Sequence, residues 1–410
     1  MDNLVSQMEN RLPQELLTFL HTAGEVADNQ GQRLYLVGGA VRDILLERPN
    51  LDFDLVVQGD APLLARQLAK ASGEKPTIHH QFGTAKFRSG NLSIDLATAR
   101  CETYSRPGAL PDVTPGKIRD DLFRRDFSIN AMALDLTHSS FGELLDAYGG
   151  MNDLEQRLIR ILHDRSFIDD ATRILRALRY EQRLGFRLEE ATEKLLREHA
   201  SMLDTVSGDR IKHELELNLE EAHPERILRR TEELGVLKAL HPSLRGDGWL
   251  AEKFEQACKL QPPDPNLYML LLIYHLTEEE NEQLIARLNI VGELGRSIRQ
   301  VLQLKPMLHT LAESDLPPSS IYRLLKQYSP TAITAFALAC DTPIVRSRLQ
   351  LYITDIRYVK PFLDGEDLKR LGLQPGPRMG KMLQALLEEK LDGKVNTREE
   401  EEALVRQWLK

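Results

Sequence analysis

The sequence has few cysteines and no long apolar segment. Cys101, Cys258 and Cys340 lie far apart in the 410 residues, so neither a disulfide framework nor a zinc site is expected. The longest apolar run, about residues 267–276, is too short to span a bilayer, and no basic segment followed by an apolar one opens the chain. These absences argue against a membrane protein and a secreted disulfide scaffold, and they predict free thiols and a cytoplasmic location.

The sequence also lacks net positive charge. Its 53 Lys and Arg residues stand against 62 Asp and Glu residues, a net charge of −9, which argues against a general nucleic-acid-binding protein because polyanion affinity comes largely from neutralised phosphates. Basic residues can still be collected on one face. Arginines at intervals of three or four predict one basic stripe along a helix: Arg173, Arg176, Arg179, Arg183 and Arg187. The alternative is a solvated face paired with nearby acids such as Glu181, Glu189 and Glu190.

Strand-like alternation of apolar and polar residues occurs only in the first third of the chain. The predicted strands cover residues 33–37, 53–57, 84–88, 92–97 and 132–136, with a helix at residues 61–72. Beyond Met151 the pattern is almost wholly helical, and prolines separate the later helices. The four glutamates at positions 399–402 are expected on an exposed face of the last helix. The pattern predicts an α/β head followed by a helical remainder.

The most informative segment is LYLVGGAVRDILLERPNLDFD. It predicts a strand, a Gly-Gly turn, a helix with Arg42, and a second strand with Asp52 and Asp54. Residues two apart in a strand point the same way, and two carboxylates that close favour a bridging cation. A glycine turn lets backbone N–H groups approach a phosphate closely. This arrangement is typical of a metal-dependent nucleotidyl-transfer site.

The segments LVGGAVRDILL and LDFDLVV resemble the first motif of the class II tRNA nucleotidyltransferases, the CCA-adding enzymes, and of the related bacterial poly(A) polymerases. Further segments match the same family in the same order: RRDFSINAMAL, DAYGGMNDL, DDATR and VSGDRIKHELE. The resemblance implies an α+β fold with a nucleotidyltransferase-type head. It assigns residues 1–150 to the head and residues 151–220, 221–305 and 306–410 to a helical neck, body and tail. The match is close over roughly the first 220 residues and looser beyond them.

The resemblance also implies chemical roles. Asp52 and Asp54 are expected to hold two Mg²⁺ ions, with Asp95 of LSIDLATAR as a third catalytic carboxylate. Asp126 and Asn130 are expected to recognise the ribose 2′-OH, because a carboxylate accepts a hydrogen bond from it and an amide can do either. The nucleotide-binding set comprises Gly38, Gly39, Arg42, Arg125, Asp126, Asn130, Asp170, Arg173, Arg176 and Arg179. RNA binding is assigned to Arg183 and Arg187.

The segment DDATR resembles the base-selecting motif of the family, Glu-Asp-x-x-Arg at a helix start, with Asp169 in place of the usual Glu. Asp170 and Arg173 are three positions apart, so they can share a helix face and meet one base edge. Cytosine and adenine present an amine beside a ring nitrogen acceptor, whereas uracil and guanine put a carbonyl oxygen in place of the amine. The pair is therefore expected to accept CTP and ATP and to reject UTP and GTP.

Other segments refine the prediction. QFGTAK stands where bacterial poly(A) polymerases carry an Arg-Arg-Phe signature, which favours synthesis at the tRNA end. The residues between Cys101 and Asp120 are too rich in Pro and Gly for a regular element, and the family uses a flexible loop there to switch to ATP. The glycines of DAYGGMNDL predict a turn from strand to helix. Ser207 is expected to cap a helix, and the Pro-Gly-Pro segment and Gly380 are candidates for a backbone turn near tRNA phosphate.

The sequence as a whole predicts an enzyme that adds CMP and AMP to the 3′ end of tRNA. Its expected partners are the tRNA 3′ end and acceptor stem, CTP and ATP, with Mg²⁺ as cofactor and no membrane. The alternatives within the family are a partial specialist that adds only CC or only the terminal A, and then a poly(A) polymerase. A catalytically inactive RNA-binding protein is a weaker alternative, because every expected carboxylate is present.

Overall fold

The computed structural model describes residues 3–49, 52–72, 75–79, 83–89, 92–260 and 264–409. Gln81 and Phe82 of the QFGTAK segment and Leu51 of the first motif lie outside the described residues. The chain forms two compact units, Met1–Leu240 and His241–Lys410. No helix in the described ranges is long and apolar enough to cross a membrane.

A mixed sheet forms the centre of the first unit. The strands are β1 (Arg33–Val37), β2 (Asp52–Gln58), β3 (Thr77–His79), β4 (Thr84–Ser89), β5 (Leu92–Thr98), β6 (Arg100–Thr103), β7 (Asp112–Pro115), β8 (Met132–Asp135), β9 (Leu144–Asp146), β10 (Leu158–Ile159) and β11 (Arg187–Leu188). Seven of them form one sheet in the order β3-β4-β5-β2-β1-β8-β9. Its neighbours are antiparallel except for β2 and β5, which run parallel. The predicted strands are confirmed.

Helices cover the sheet and complete the first unit. They are α1 (Val5–Arg11), α2 (Gln14–Asp28), α3 (Gly39–Leu45), α4 (Ala61–Ser72), α5 (Ile118–Phe123), α6 (Gly150–Glu155), α7 (Ser166–Asp169), α8 (Thr172–Leu184), α9 (Glu190–Glu198), α10 (Gly208–Leu219), α11 (Pro224–Glu233) and α12 (Val236–Leu240). The residues of β1 from Leu34 to Val37 are buried on both faces of the sheet, as expected for a central strand covered by helices. The prediction of an α/β head followed by helices is confirmed.

The segment after Cys101 differs from its prediction. Strands β6 and β7 pair antiparallel, with Glu102 opposite Val113 and Thr103 opposite Asp112. The prolines and glycines of this segment lie mainly in the connection or at the ribbon ends, where they remove no ladder hydrogen bond. The segment is therefore a two-stranded ribbon followed by a helix, and the prediction that it holds no regular element was wrong.

The turn predicted in DAYGGMNDL is confirmed. Strand β9 ends at Asp146, whose carboxylate accepts from the backbone N–H groups of Gly150 and Met151 at 2.8 Å and caps α6. Gly149 has a φ of 74°, a conformation that glycine adopts without steric cost. A Cβ atom on Gly150 would lie 2.4 Å from the carbonyl oxygen of Ser128, so this glycine permits a close backbone approach.

The second unit is helical. Its helices are α13 (Gly248–Cys258), α14 (Pro265–Leu272), α15 (Glu278–Arg287), α16 (Gly292–Leu304), α17 (Leu308–Leu311), α18 (Pro318–Leu325), α19 (Pro330–Ala339), α20 (Pro343–Thr354), α21 (Gly365–Arg370), α22 (Pro377–Leu391) and α23 (Arg398–Leu409). Gly380 lies inside α22 and forms no turn. Glu401 is fully buried and accepts from the backbone N–H groups of Phe362 and Leu363 at 3.0 and 2.9 Å. The expectation of an exposed glutamate face was therefore wrong at Glu401.

Candidate active site

Three carboxylates lie on adjacent strands of the sheet. Asp52 and Asp54 are solvent-accessible on β2, while Phe53 between them points into the core. The parallel register of β2 and β5 places Asp95 beside Asp54. Lys86 of β4 pairs with Asp95 across the next register, with 2.9 Å between Nζ and Oδ2. We call Asp52, Asp54 and Asp95 the sheet carboxylates.

The glycine turn brings an arginine to the sheet carboxylates. Gly38 has a φ of 74°, and a Cβ atom there would lie 2.5 Å from Nη1 of Arg125 and 3.7 Å from Oδ2 of Asp54. A side chain at this position would displace the guanidinium, which also donates to Asp121 at 3.2 Å. Burial among neighbouring groups raises the pKa of Asp54, Arg125 opposes that rise, and the negative charges of Asp95 and Asp52 add to it.

The sheet carboxylates suit a cation that arrives with a ligand. In the described ranges, no group of three or more His, Cys, Asp or Glu side chains is arranged to hold a metal ion. Mg²⁺ is commonly bound by one or two carboxylates together with substrate phosphates and water. Asp52 and Asp54 supply such a pair. Burial raises the pKa of Asp54 most and the charges of Asp95 and Asp52 add to the rise, whereas a nearby cation would lower it.

A cavity of about 620 Å³ lies next to Arg125; we call it the main cavity. Five residues predicted from the sequence line it: Arg125, Asp126, Asp170, Arg173 and Arg176. Residues that the sequence did not assign to the site also line it, among them Glu102, Tyr104, Arg210 and Glu214. Arg125 therefore connects the sheet carboxylates to the main cavity.

Asp126 and Asn130 form one hydrogen-bonded unit. The Asn130 amide donates to Oδ1 of Asp126 at 2.9 Å, and its oxygen accepts from Nη1 of Arg42 at 2.7 Å. Arg176 donates to Oδ2 of Asp126 from Nε and Nη2, at 3.0 and 2.7 Å. Burial alone would raise the pKa of Asp126, but Arg176 and Asn130 outweigh it and lower this pKa to about 2. Arg42 also pairs with Asp43.

The two residues predicted to select the base, Asp170 and Arg173, line the main cavity but do not share one helix face. Helix α8 begins at Thr172, inside the predicted segment, but Asp170 precedes it with an extended backbone, so the prediction that it shares a helix face with Arg173 was wrong. Its Oδ1 accepts from Thr172, and its Oδ2 pairs with Arg210 at 2.9 Å. Arg173, in the first turn of α8, is buried and donates to Ser166 Oγ at 2.7 Å and to a backbone carbonyl at 2.6 Å.

The predicted arginine stripe is shorter than expected and is paired differently. Helix α8 ends at Leu184 and is followed by Gly185, whose φ is 69°, so Arg187 lies on β11 and not on the helix. Arg179 pairs with Glu214 at 2.7 Å, and Arg183 donates to Glu221 at 2.8 Å. The partners thus differ from the acids suggested by the sequence, which were the close neighbours of the arginines in the chain.

Two groups of cavity residues were not assigned to the site from the sequence: the pair Glu102 and Tyr104, and Arg210. Tyr104 donates to Glu102 at 3.0 Å, and burial together with the charge of Glu102 raises the pKa of Tyr104 to about 12. The positions of Glu102 and Tyr104 depend on the ribbon of β6 and β7, which the Pro and Gly content of the segment gave no reason to expect. Arg210 lies in the segment whose Ser207 occupies the predicted N-cap position of α10, although the Ser207 side chain makes no capping bond within the described residues. The segment VSGDRIKHELE contains Arg210 and resembles a family motif, a signal that an interpretation based on helix capping alone overlooks.

Two family profiles match the chain. The "Poly A polymerase head domain" matches residues 34–160, and the "Probable RNA and SrmB- binding site of polymerase A" matches residues 185–246. The first match includes the sheet carboxylates and the Asp126–Asn130 unit. The fold and site define a nucleotidyltransferase head followed by helical domains.

Curated relatives cover nearly all of the chain. An A-adding tRNA nucleotidyltransferase of Geobacter sulfurreducens is 35% identical over 97% of this chain, which spans about half (48%) of that relative. An A-adding tRNA nucleotidyltransferase of Halalkalibacterium halodurans is 32% identical, covering 100% of this chain and 96% of its own length. A CC-adding tRNA nucleotidyltransferase of Deinococcus radiodurans is 34% identical over 92% of this chain and 89% of its own. The chain belongs to the tRNA nucleotidyltransferase and poly(A) polymerase family.

Solved structures agree with this assignment. A CCA-adding enzyme complexed with ATP has a TM-score of 0.83 at 32% identity, and one complexed with CTP has 0.81 at 33%; each match covers 100% of this chain and 99% of the other. The Thermotoga maritima CCA-adding enzyme complexed with tRNA has 0.78 at 33% identity, with the same coverage. The family predicted from the sequence is confirmed, and the chain is a nucleotidyltransferase. Enzymes of this family typically use divalent metal ions.

Proposed function

We propose that this enzyme adds CMP and AMP from CTP and ATP to the 3′ end of tRNA and releases pyrophosphate. One observation carries the proposal: Arg125 joins the sheet carboxylates to a cavity lined by Asp126, Asp170 and Arg173. A nucleotide in this cavity has its triphosphate directed toward carboxylates suited to Mg²⁺. In-line transfer needs this juxtaposition of metal ligands and phosphate.

The residues divide the chemistry among them. We propose that Asp52 and Asp54 hold Mg²⁺, which when bound supplies charge neutralisation for the phosphates and activation of the tRNA 3′-OH. Asp95 lies beside Asp54, where it can accept the proton of that hydroxyl. Arg125 and the Gly38–Gly39 turn bind phosphate oxygens. The fit rests on oxygen donors and on the raised pKa of Asp54, which a divalent cation would lower.

Ribose and base are recognised at separate places in this proposal. Asp126 and Asn130 accept and donate hydrogen bonds at the 2′-OH, held between Arg42 and Arg176. Asp170 accepts from the exocyclic amine of cytosine or adenine, and Arg173 donates to the adjacent ring nitrogen. Both have protein partners in the absence of a nucleotide, so binding exchanges those hydrogen bonds for hydrogen bonds to the base.

The head, neck, body and tail boundaries at residues 150, 220 and 305 remain part of the proposal, as does RNA binding by Arg183 and Arg187. Arg187 lines a second cavity, of about 750 Å³, together with Lys194, Arg197 and four glutamates, so this cavity adds no net positive charge to its surroundings. A tRNA substrate and nucleoside triphosphates are cytoplasmic, and we therefore propose a cytoplasmic location. The acceptor stem and 3′ end of tRNA are the proposed RNA partners.

A surface of the second unit supports tRNA binding by the tail. Tyr358 is 64% exposed with the guanidinium of Arg357 5.0 Å from its ring centre, and Phe362 is 43% exposed with Lys390 Nζ 3.3 Å from its ring centre. Exposed aromatic rings beside cations stack on nucleobases and neutralise phosphates. The buried carboxylate of Glu401 fixes the backbone at Phe362.

The tail surface can be tested separately from the chemistry. The double variant Tyr358→Ala/Phe362→Ala should raise the KM for tRNA about tenfold, the effect of removing one base-stacking interaction, and leave the KM for CTP unchanged. Leu351→Ala removes another side chain that is 41% exposed in the same unit and serves as the control. An unchanged KM for tRNA in the double variant would exclude this surface as a tRNA contact.

The second candidate function is addition of the terminal A alone. Two of the relatives described above, at 35% and 32% identity, are A-adding enzymes. The site residues are compatible with either activity, because cytosine and adenine present the same amine and ring nitrogen to Asp170 and Arg173. Nucleotide choice therefore has to be measured.

The experiment uses three tRNA primers, which lack the last three, the last two or only the last nucleotide. Each is incubated with CTP, with ATP, and with both, and product lengths are read at single-nucleotide resolution. Full CCA addition extends all three primers to the same end. Extension of only the longest primer, and only with ATP, would establish the A-adding candidate. Arrest after two additions would establish CC addition, and long products with ATP alone would establish a poly(A) polymerase.

A further inference from the structure

One aromatic ring on α8 contacts both arginines that hold the Asp126–Asn130 unit. The guanidinium carbons of Arg42 and Arg176 lie over the ring of Tyr180, 5.1 and 5.7 Å from its centre. Arg179 lies over the same ring at 5.9 Å. Guanidinium groups within about 6 Å of an aromatic centre are attracted by the negative face of the ring. Tyr180 therefore holds three cations together that would otherwise repel one another.

The two arginines contact opposite ends of the Asp126–Asn130 unit. Arg42 donates to the Asn130 oxygen at 2.7 Å, which leaves the Asn130 nitrogen to donate to Asp126. Arg176 donates to the other oxygen of Asp126 at 2.7 Å. The position of each arginine thus sets the orientation of one member of the unit. A shift of either guanidinium would turn the amide or the carboxylate.

The surroundings of Tyr180 fix the ring itself. Phe127 packs edge to face against it, with ring centres 5.8 Å apart. Phe127 directly follows Asp126, and its backbone N–H donates to Oδ1 of Asp126 at 2.9 Å. Arg179 is also held by Glu214, at 2.7 Å. These contacts fix the position of the Tyr180 ring, against which Arg42 and Arg176 pack.

We propose that Tyr180 is a positioning residue for ribose selection: its ring fixes Arg42 and Arg176 and thereby the orientation of Asn130 and Asp126. The inference rests on the proposed role of Asp126 and Asn130 at the 2′-OH. Tyr180 acts through the arginines and needs no contact with substrate. Its aromatic face carries the effect, because the described residues include no hydrogen-bond partner for its hydroxyl.

The test compares three replacements of Tyr180. Tyr180→Phe keeps the ring, whereas Tyr180→Leu and Tyr180→Met remove it; Met adapts its shape to fill the space and carries the test if the Leu variant does not fold. The readout is the ratio of kcat/KM for CTP to that for dCTP on one tRNA primer. We expect the Phe variant to keep the wild-type ratio, and the Leu and Met variants to lower it about tenfold, since cation–π attraction at a desolvated site is of that order.

Two controls separate this inference from general destabilisation and from the proposed function. Phe186→Leu removes a half-buried ring just after α8 and should lower the melting temperature without changing the CTP to dCTP ratio. Asp126→Ala should lower the ratio if Asp126 recognises the ribose; an unchanged ratio there would overturn the proposed role of Asp126. If Asp126→Ala lowers the CTP to dCTP ratio but folded Tyr180→Leu or Tyr180→Met keeps the wild-type ratio, the inference about Tyr180 is wrong and the proposed role of Asp126 stands. A Phe variant as poor as Leu would also overturn the inference about Tyr180.

Discussion

The pKa values of Asp54 and Asp126, two carboxylates of the first unit, are shifted in opposite directions. Burial and the charges of Asp95 and Asp52 raise the pKa of Asp54. Asp126 is more deeply buried than the solvent-accessible Asp54, but Arg176 and Asn130 lower its pKa to about 2. The positive groups near Asp54 do not offset its burial and the neighbouring negative charges, whereas Arg176 and Asn130 do offset the burial of Asp126. The difference is consistent with our proposal that Asp54 binds an external cation and that Asp126 is oriented in advance for recognition.

The largest effect is expected from replacing the carboxylates that we propose as Mg²⁺ ligands. Asp52→Ala or Asp54→Ala should lower incorporation of both CTP and ATP at least about a thousandfold, a barrier increase of about 4 kcal/mol, while tRNA binding survives. Asp95→Ala should also be severe. Asp60→Asn, an exposed helix-capping position beyond the end of β2, is the matched control because asparagine also caps helices. Residual activity of Asp52→Ala or Asp54→Ala within about tenfold of wild type would contradict their role as metal ligands.

The next test concerns recognition. Arg173→Ala should lower kcat/KM for CTP and also lower the ratio of CTP to UTP incorporation about tenfold, because rejection of uracil depends on polar groups that it leaves unpaired. Arg11→Ala, in an exposed ion pair with Glu47, controls for loss of one positive charge. A reduced rate with an unchanged ratio would make Arg173 a contact for phosphate and not for the base.

The smallest expected effects are on the free energy of unfolding at pH 7. Replacement by Asn should lower it at Asp126 and raise it at Asp54. A lowered pKa means that Asp126 stabilises the fold above the unfolded-state value of 3.8, and that this contribution is lost as pH falls through about 2. Asp126→Asn should therefore cost about 2 kcal/mol of unfolding free energy at pH 7. A raised pKa means that the Asp54 charge destabilises the folded state as pH rises.

Metal-free Asp54→Asn should accordingly melt above the wild type at pH 7, and this gain should vanish at acidic pH, where the Asp54 of the wild type is protonated. Both predictions are tested by measuring the melting temperatures of Asp54→Asn and Asp126→Asn across pH in a chelating buffer. Destabilisation by both Asp54→Asn and Asp126→Asn at pH 7 would show that the two carboxylates do not differ in the way the structure indicates.

The parts of the site that were predictable depend on local order in the chain. The period of two in β2 places Asp52 and Asp54 on one face with Phe53 opposite, and the structure agrees. The Gly-Gly turn required no long-range information, because its conformation follows from the lack of a side chain. These features are set by a few consecutive residues.

The features that were missed depend on partners distant in sequence. Asp170 pairs with Arg210, forty positions later, and Glu401 binds the backbone near Phe362. The ribbon of β6 and β7 is stabilised by pairing that its Pro and Gly content does not reveal. Strand propensity is weaker than such pairing, since it mostly reflects contacts with neighbours. The helix end at Gly185, before Arg187, was readable in principle, as glycine commonly ends helices.

The parallel pairing of β2 and β5 has a consequence for the order of folding events. Asp54 and Asp95 are neighbours only because this pair closes a connection of about forty residues, and the entropic cost of such closure is met before the contacts form. Non-local pairing of this kind is slow compared with helix formation. We therefore expect a newly made chain to acquire helices before it acquires adjacent carboxylates, so that a partly folded chain lacks the proposed catalytic centre and consumes no nucleotides.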